Sequence, residues 1–563
     1  MTVDIGEFET NVSEFMVINT PEFSSEIISS YLNNLKENTS IVFFGCGRTG
    51  EILVDYYSES LERHHTQFVT SYSKKGEFFR NYPLRELSDL LDNYPEYIII
   101  LSTVYEQEML DSITQIPRQR IKTIAEITKE TDCRDIIKKA REYIKNSVLE
   151  NDISTINRFN TDNKKIVCFT TINTSHNFLK IMLGLKKQGY LVILVLNNKI
   201  INNAFSIEKF KGEGYYDYLY ITKYSYSLEL LQILQSCNVS FVHAVASMAE
   251  NISLAYVIAN SPCPVVVEYC DVKQLVFEGN DELAQNQLGL TPSALEIEKT
   301  AQEIVYTESN GILIKDSPEI IDHLEDLYGK RPNWLHFFPY SCNEFVVPLT
   351  SEKFSQKSGK IHIVYAGCLH NNPKWHPTPI FKSTLKAIEQ LSDQEIYFSI
   401  YNAMDSTGQG FEEYLELSEK NDFFNYHFAL PYDQLSIVLS KYDFGWFCFD
   451  FSNALESSFF HKTTFGSKIF TYIEAGLPVL VSPEQAYMSS VVEDLGVGQP
   501  LQFNDIANLS NIIGEMDIQT YKANIDRVRR EKSLDIEIPR IVEFYKYTGL
   551  ETHNSQIPQD VLL

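Results

Sequence analysis

The sequence predicts an α/β chain of three successive blocks, each a parallel sheet wound by helices. Short apolar runs alternate with amphipathic helical stretches almost throughout, as βα units require when a sheet is buried on both faces. A glycine turn, "GCGRTG", lies between an apolar run and a helical one near the N-terminus. Polar residues gather where the apolar runs end, the side of an open parallel sheet on which ligands collect.

In chain order, the first block covers about 1–150. "SIVFFGCGRTGEILVDYYSESL" reads as strand, glycine turn and helix, "QFVTSY" and "YIIILST" as further strands, and "IKTIAEI" as a last short one. Residues 134–160 are charged and read as a helical connector. The second block covers 161–345. "KKIVCFTTINT" is a strand running into a polar loop, and "HNFLKIMLGLKKQGY" is a helix stopped by Gly189. "LVILVLNN", "SFVHAVAS" and "CPVVVEYCD" are strands with polar ends. The third block covers 355–550, entered through the polar linker "SEKFSQKSGK". Its strands are "IHIVYAGCLH", "IYFSIYN", "NYHFAL", "FGWFCF" and "LPVLVS", and the last ~30 residues are helical before a polar tail.

Bulk properties narrow the function. At 563 residues the chain has room for roughly three or four domains. Its 44% apolar and 13% aromatic residues are those of a folded protein. The net charge of −27 speaks against nucleic acid or an anionic membrane as the main partner. Nine cysteines form no CxxC pair, so a zinc knuckle or redox pair is unsupported, and buried free thiols in a reducing cytoplasm are expected. The N-terminus has neither the basic nor the apolar region of a signal peptide, and no apolar run reaches the length of a membrane span.

Two stretches carry chemistry. Gly45, Gly47 and Gly50 match G-x-G-x-x-G between a strand and a helix, which lets a backbone approach a phosphate at a helix N-terminus. The acid that would hold an NAD ribose is missing from the following "VTSYSKK", where Ser71, Lys74 and Lys75 stand instead. A structural turn, or one turned to docking or sensing, is favoured there over a bound dinucleotide. The second stretch, "KTTFGSKIFTYIEAGLPVLVSPE", puts Gly466, Ser467 and Lys468 at a helix mouth, with two amides, a hydroxyl and an ammonium for a diphosphate. Gly476 should cap that helix and Pro478 should prevent its continuation.

"FGSKIFTYIEAGLPVLVSPE" resembles the nucleotide-binding segment of GT-B glycosyltransferases, especially those similar to family 4. "VVEDLGVG", "HIVYAGCLH" and "NYHFALPYDQLSIVLSKYDFGWF" resemble further segments of that family's C-terminal domain. "FVHAVAS" and "PVVVEYCD" resemble strands of its N-terminal domain. The resemblance spans roughly 160–540. It implies two Rossmann-like domains in GT-B arrangement, 161–345 holding the acceptor and 355–550 the donor, with an extra Rossmann-like domain over 1–150. That first block is itself similar to small domains preceding enzymes of bacterial surface-sugar biosynthesis.

The family's paired glutamates fall on Thr463 and Thr471, with Glu474 one turn beyond Thr471 as a substitute for the ribose contact. Only His243 of the family's two strand histidines is kept, Val245 standing for the other. The resemblance places Gly367, His370 and Lys374 near the donor phosphates, with His427 toward the base. His243, Asp271 and Glu268 are where a base would be sought, and the loop Asn173–His176 lies near the acceptor. No D-x-D clamp occurs, which suits metal-independent transfer. The expected activity is transfer of a sugar from a nucleotide donor to a glycan, lipid-linked or protein acceptor, in surface polysaccharide or glycoconjugate synthesis. No resident cofactor is expected, and lipid-linked acceptors would bring the enzyme to a membrane surface. A non-catalytic GT-B-like binding protein and a nucleotide-sugar epimerase are the alternatives, the first supported by the two missing glutamates.

Overall fold

The computed structural model describes residues 21–70, 77–92, 94–101, 106–130, 150–160, 164–171, 176–196, 214–222, 226–246, 251–270, 273–288, 292–349, 352–369, 383–403, 410–452, 454 and 457–549. They form three sheets, each from one stretch of chain.

The first sheet runs β3-β4-β2-β1-β5-β6. Its strands are β1 (Ser40–Phe44), β2 (His65–Val69), β3 (Phe78–Phe79), β4 (Tyr82–Arg85), β5 (Tyr97–Ile100) and β6 (Ile121–Lys122). All its pairings are parallel except β3 with β4. The "IKTIAEI" run gives only the two residues of β6 as strand, and a helix, Ile124–Glu130, takes the rest. There Thr123 and Glu126 form a reciprocal cap: Glu126 Oε2 accepts from the Thr123 amide at 2.9 Å, and the Glu126 amide donates to Thr123 Oγ1 at 3.3 Å.

The middle sheet runs β13-β12-β11-β10-β7-β8-β9, wholly parallel. Its strands are β7 (Ile166–Thr171), β8 (Leu191–Leu196), β9 (Tyr218–Ile221), β10 (Phe241–Ala246), β11 (Val265–Tyr269), β12 (Gly311–Ile314) and β13 (Trp334–His336). The third runs β16-β15-β14-β17-β18-β19, also parallel. It contains β14 (His362–Gly367), β15 (Tyr397–Asn402), β16 (Phe424–His427), β17 (Phe444–Phe447), β18 (Val479–Val481) and β19 (Gly498–Pro500). In each sheet the chain starts inside, winds one way, then crosses to the other side. The order therefore reverses between β1 and β5, between β7 and β10, and between β14 and β17, and each reversal opens a crevice at the strand ends.

The period of two along a strand decides which neighbour each face meets. On β8, Val192, Leu194 and Leu196 join a core continuous with the third sheet. Leu191, Ile193 and Val195 join a core shared with the first sheet. The middle sheet is thus the common wall, which is why its strands are apolar on both faces. The last helix, Leu534–Gly549, follows the third sheet in sequence but lies on the middle one. A methyl on Gly311 of β12 would stand 2.6 Å from Phe544, and one on Gly184 would stand 2.9 Å from Ile538. Two Rossmann-like sheets tied by a returning C-terminal helix, with a third Rossmann-like sheet before them, make up the expected α/β architecture. No described helix is long and apolar enough to cross a membrane.

Candidate active site

The crevice of the third sheet is built where β14 and β17 part. They pair only at Ile363–Val364 with Phe444–Gly445. Beyond that the strands diverge, and Tyr472, from the helix Lys468–Ala475, fills the gap. Its hydroxyl donates to the Trp446 carbonyl and accepts from the Ala366 amide, both at 3.0 Å. Two backbone groups that lost their ladder partners are thereby satisfied. Gly445 is obligatory beneath it, because an added Cβ would lie 2.4 Å from the Tyr472 ring.

Directly above, the structure brings together two residues the sequence proposes from segments a hundred residues apart. The stem of Lys468 lies across Gly367 so closely that a Cβ there would fall 1.8 Å from Lys468 Cε. The ammonium stands 5.3 Å from the ring centre of Phe447 and 5.7 Å from that of Tyr365, both in cation–π range. The loop after Gly367 is fixed from both sides. Tyr365 donates to the Cys368 carbonyl at 2.8 Å. Fully buried Asn402 accepts from the Leu369 amide at 3.0 Å and donates to its carbonyl at 3.1 Å and to the Tyr426 hydroxyl at 2.9 Å. Ser467 occupies the cap of the Lys468–Ala475 helix, and its hydroxyl caps none of that helix's amides. Gly476 ends the helix in the left-handed conformation, φ 77°, as expected. Gly466 is wedged against Phe447 and Met488, a Cβ there coming within 2.8 Å of the Phe447 ring. A phosphate reaching this crevice would meet a cation, a hydroxyl and the amides of a helix mouth.

Other sequence candidates fall elsewhere. Glu474 does not reach the crevice: it has no exposed surface. Its Oε1 lies 2.7 Å from Lys180 Nζ and 2.7 Å from the Cys342 amide, so it ties the Lys468–Ala475 helix to the middle block. Burial pushes its carboxyl up from the usual range, against the pull of Lys180. The face shared by Thr471 and Glu474 looks into the protein, and the ribose contact expected of Glu474 is corrected accordingly. His243 is likewise interior, with no exposed surface. The Tyr545 hydroxyl, whose pKa burial raises, stays protonated and donates to Nδ1 at 2.5 Å. Nε2 then donates to Glu268 at 3.2 Å, and the ring stacks on Phe169 at 4.6 Å. This arrangement locks the last helix to β10 and presents neither nitrogen to a substrate. His427 ends the edge strand β16, stacked on Tyr401 at 4.4 Å, two strands away from the crevice. Asp271, Lys374, His370 and residues 173–175 lie outside the described residues.

In the first sheet, Gly45 follows β1 at the reversal with β5 and needs its freedom, at φ 116°. Gly50 makes only ordinary contacts, at 3.4 Å and beyond with Leu101 and Phe79, and Gly47 faces open space. Glu51 stands in the first turn of the following helix, where a phosphate would otherwise meet the helix dipole. Ser71, Lys74 and Lys75 lie outside the described residues. What is described is a tight turn that runs straight into the Arg48–Tyr56 helix.

Tyr472, Asn402 and Asp316 were not singled out by sequence. Asp316, just past β12, accepts from the Phe465 amide at 2.6 Å, beside the crevice, and burial raises its pKa against Lys315. Among the described residues no group of three or more His, Cys, Asp or Glu is placed to hold a metal.

No protein-family model matches the chain, and no curated protein matches it. Among solved structures, the glycosyltransferase of kitacinnamycin is similar over 68% of this chain and 99% of its own, at 11% identity and a TM-score of 0.40. The glycosyltransferase SnogD from Streptomyces nogalater is similar over 68% and 99%, at 14% identity and a TM-score of 0.36. The S. aureus MnaA–UDP structure is similar over 70% and 100%, at 11% and 0.41. Likenesses this faint carry no chemistry across, so the case for function rests on the crevice itself.

Proposed function

We propose that this chain is a glycosyltransferase, taking a sugar from a nucleotide-linked donor held by the third domain. The observation that carries the reading is the seating of Lys468 over Gly367 at the β14/β17 reversal. The glycine is kept bare for the lysine stem, and the ammonium stands at the crevice beside a helix mouth. That set of groups answers one chemical problem, the charge that develops on a leaving diphosphate. Lys468, the Ser467 hydroxyl and the amides of the turn would take up that charge without a bound metal. The domain over 161–345 would hold a glycan, lipid-linked or protein acceptor across the cleft, and closure would exclude water and align the reactants. Surface polysaccharide or glycoconjugate synthesis in the cytoplasm is the setting in which such an acceptor would be met.

A second reading has its own support. Two candidate chemical groups, His243 and Glu474, are spent on tying elements together, which suits a GT-B-like protein that binds a nucleotide or glycan without turning it over. Calorimetry with UDP-, GDP-, CMP- and dTDP-sugars on wild type and Lys468→Ala tests the site. One donor should bind, and the variant should bind it at least about tenfold more weakly, the worth of a charge-assisted hydrogen bond. No binding by a folded wild type would sink the donor-site reading. Binding without transfer or hydrolysis would favour the second.

A further inference from the structure

The segment entering the mouth of the Lys468–Ala475 helix is held from the other domain. Just past β12, Asp316 Oδ1 accepts from the Phe465 amide at 2.6 Å and from the Thr464 hydroxyl at 3.5 Å. The adjacent Ser317 amide donates to the Thr463 carbonyl at 2.8 Å. One strand end thus grips three successive residues, with an acceptor on one and a donor on another. The carboxylate is no loose rim acid: Asp316 is 5% exposed. Lys315 Nζ lies 3.0 Å from its Oδ1 and itself donates to the Cys270 carbonyl at 3.2 Å. Gly466, Ser467 and Lys468 follow at once. The anchor at Phe465 therefore sets the direction in which the next amides point. Gly466 adds little hold of its own, since its amide faces only the soft sulfur of Met488, at 3.3 Å.

We propose that Asp316 is a positioning residue for the phosphate crevice: by gripping the turn at 464–465 across the domain boundary, it fixes the direction of the helix-mouth amides that follow. The proposal rests on the donor-phosphate reading above. Its consequence is reciprocal. If the grip at Phe465 orders the helix mouth, a bound diphosphate steadies that grip by the same factor.

Asp316→Ala removes the acceptor, whereas Asp316→Asn keeps an oxygen at the same place without the charge. Inorganic pyrophosphate and UDP are titrated into the full chain and both variants, and deuterium uptake is followed across 464–468. The alanine variant should bind about tenfold more weakly and exchange these amides faster than wild type. The asparagine variant should stay within about threefold of wild type, since the accepting oxygen remains. Binding by the alanine variant equal to wild type, or equal losses in both variants, would overturn the proposal. If the wild type binds neither probe, the donor-phosphate reading fails. The exchange comparison then decides alone, and unchanged uptake in Asp316→Ala would overturn the ordering role.

Discussion

Gly367 shows how a single missing side chain can define a site. A Cβ there would meet Lys468 Cε at 1.8 Å, and the cheapest relief is for the flexible lysine to leave rather than for β14 to bend. Gly367→Ala should therefore cost only about 1–3 kcal/mol of stability, as overpacking does. It should nevertheless weaken diphosphate binding as much as Lys468→Ala. Calorimetry beside a thermal melt separates the two effects, and a Gly367→Ala protein that binds like wild type would show that the lysine's seat is irrelevant. Lys468 was legible in the sequence because it begins an element at a glycine-marked turn, and Gly367 through the family resemblance of "HIVYAGCLH". Glu474 was misread for a physical reason. The i, i+3 rule that put it beside Thr471 is correct, but it cannot say which way that shared face looks. Here it looks toward Lys180.

At the scale of the element, the Lys468–Ala475 helix is fixed by Tyr472 as much as by its caps. Phenylalanine at 472 would keep the ring and strip partners from the Ala366 amide and the Trp446 carbonyl, both buried where β14 and β17 diverge. With about 1–3 kcal/mol for each orphaned group, Tyr472→Phe should lose roughly 2–6 kcal/mol, read as a lower denaturant midpoint. A midpoint within error of wild type would mean the strands close without the hydroxyl. Nothing in "FTYIEAG" marks this tyrosine, because strand divergence is a property of the assembled sheet. Five of the six strands of the third sheet were legible, their apolar runs being bounded by glycine and proline, whereas β19, Gly498–Pro500, has no apolar run to read. In the middle sheet β12 and β13 were not read as strands, β12 following closely on the helix Pro292–Glu308 and β13 carrying only three residues. The 121–127 run failed differently: its apolar residues fit a strand, but the Thr123–Glu126 cap gave the helix the competing advantage.

For the whole molecule, the boundary between the middle and third domains is polar at several points, and one of them titrates in a useful range. His336, ending β13, receives the Tyr487 hydroxyl on Nε2 at 2.9 Å, and its other nitrogen serves the backbone at Lys315–Asp316. Burial, helped by the neighbouring Arg540 cation, lowers its pKa from 6.5 to about 4. A second proton would have to displace the Tyr487 hydrogen bond. The sign follows from that direction. The folded chain favours the neutral ring, so this contribution is complete above pH 6.5 and is lost as pH falls through 6.5 toward 4. At about 1.4 kcal/mol per pH unit, the loss should approach roughly 3 kcal/mol. Glu474 and Asp316, whose pKa values are raised, act in the opposite sense as the solution acidifies, so the bare wild-type curve mixes signs. The difference between wild type and His336→Gln isolates the histidine. Their unfolding midpoints should converge between pH 7 and pH 4.5, and curves that stay parallel would remove His336 from the boundary's acid sensitivity. Because Asp316 grips the crevice turn from the same strand ends, a boundary loosened by acid should also weaken diphosphate binding in wild type, by more than in His336→Gln.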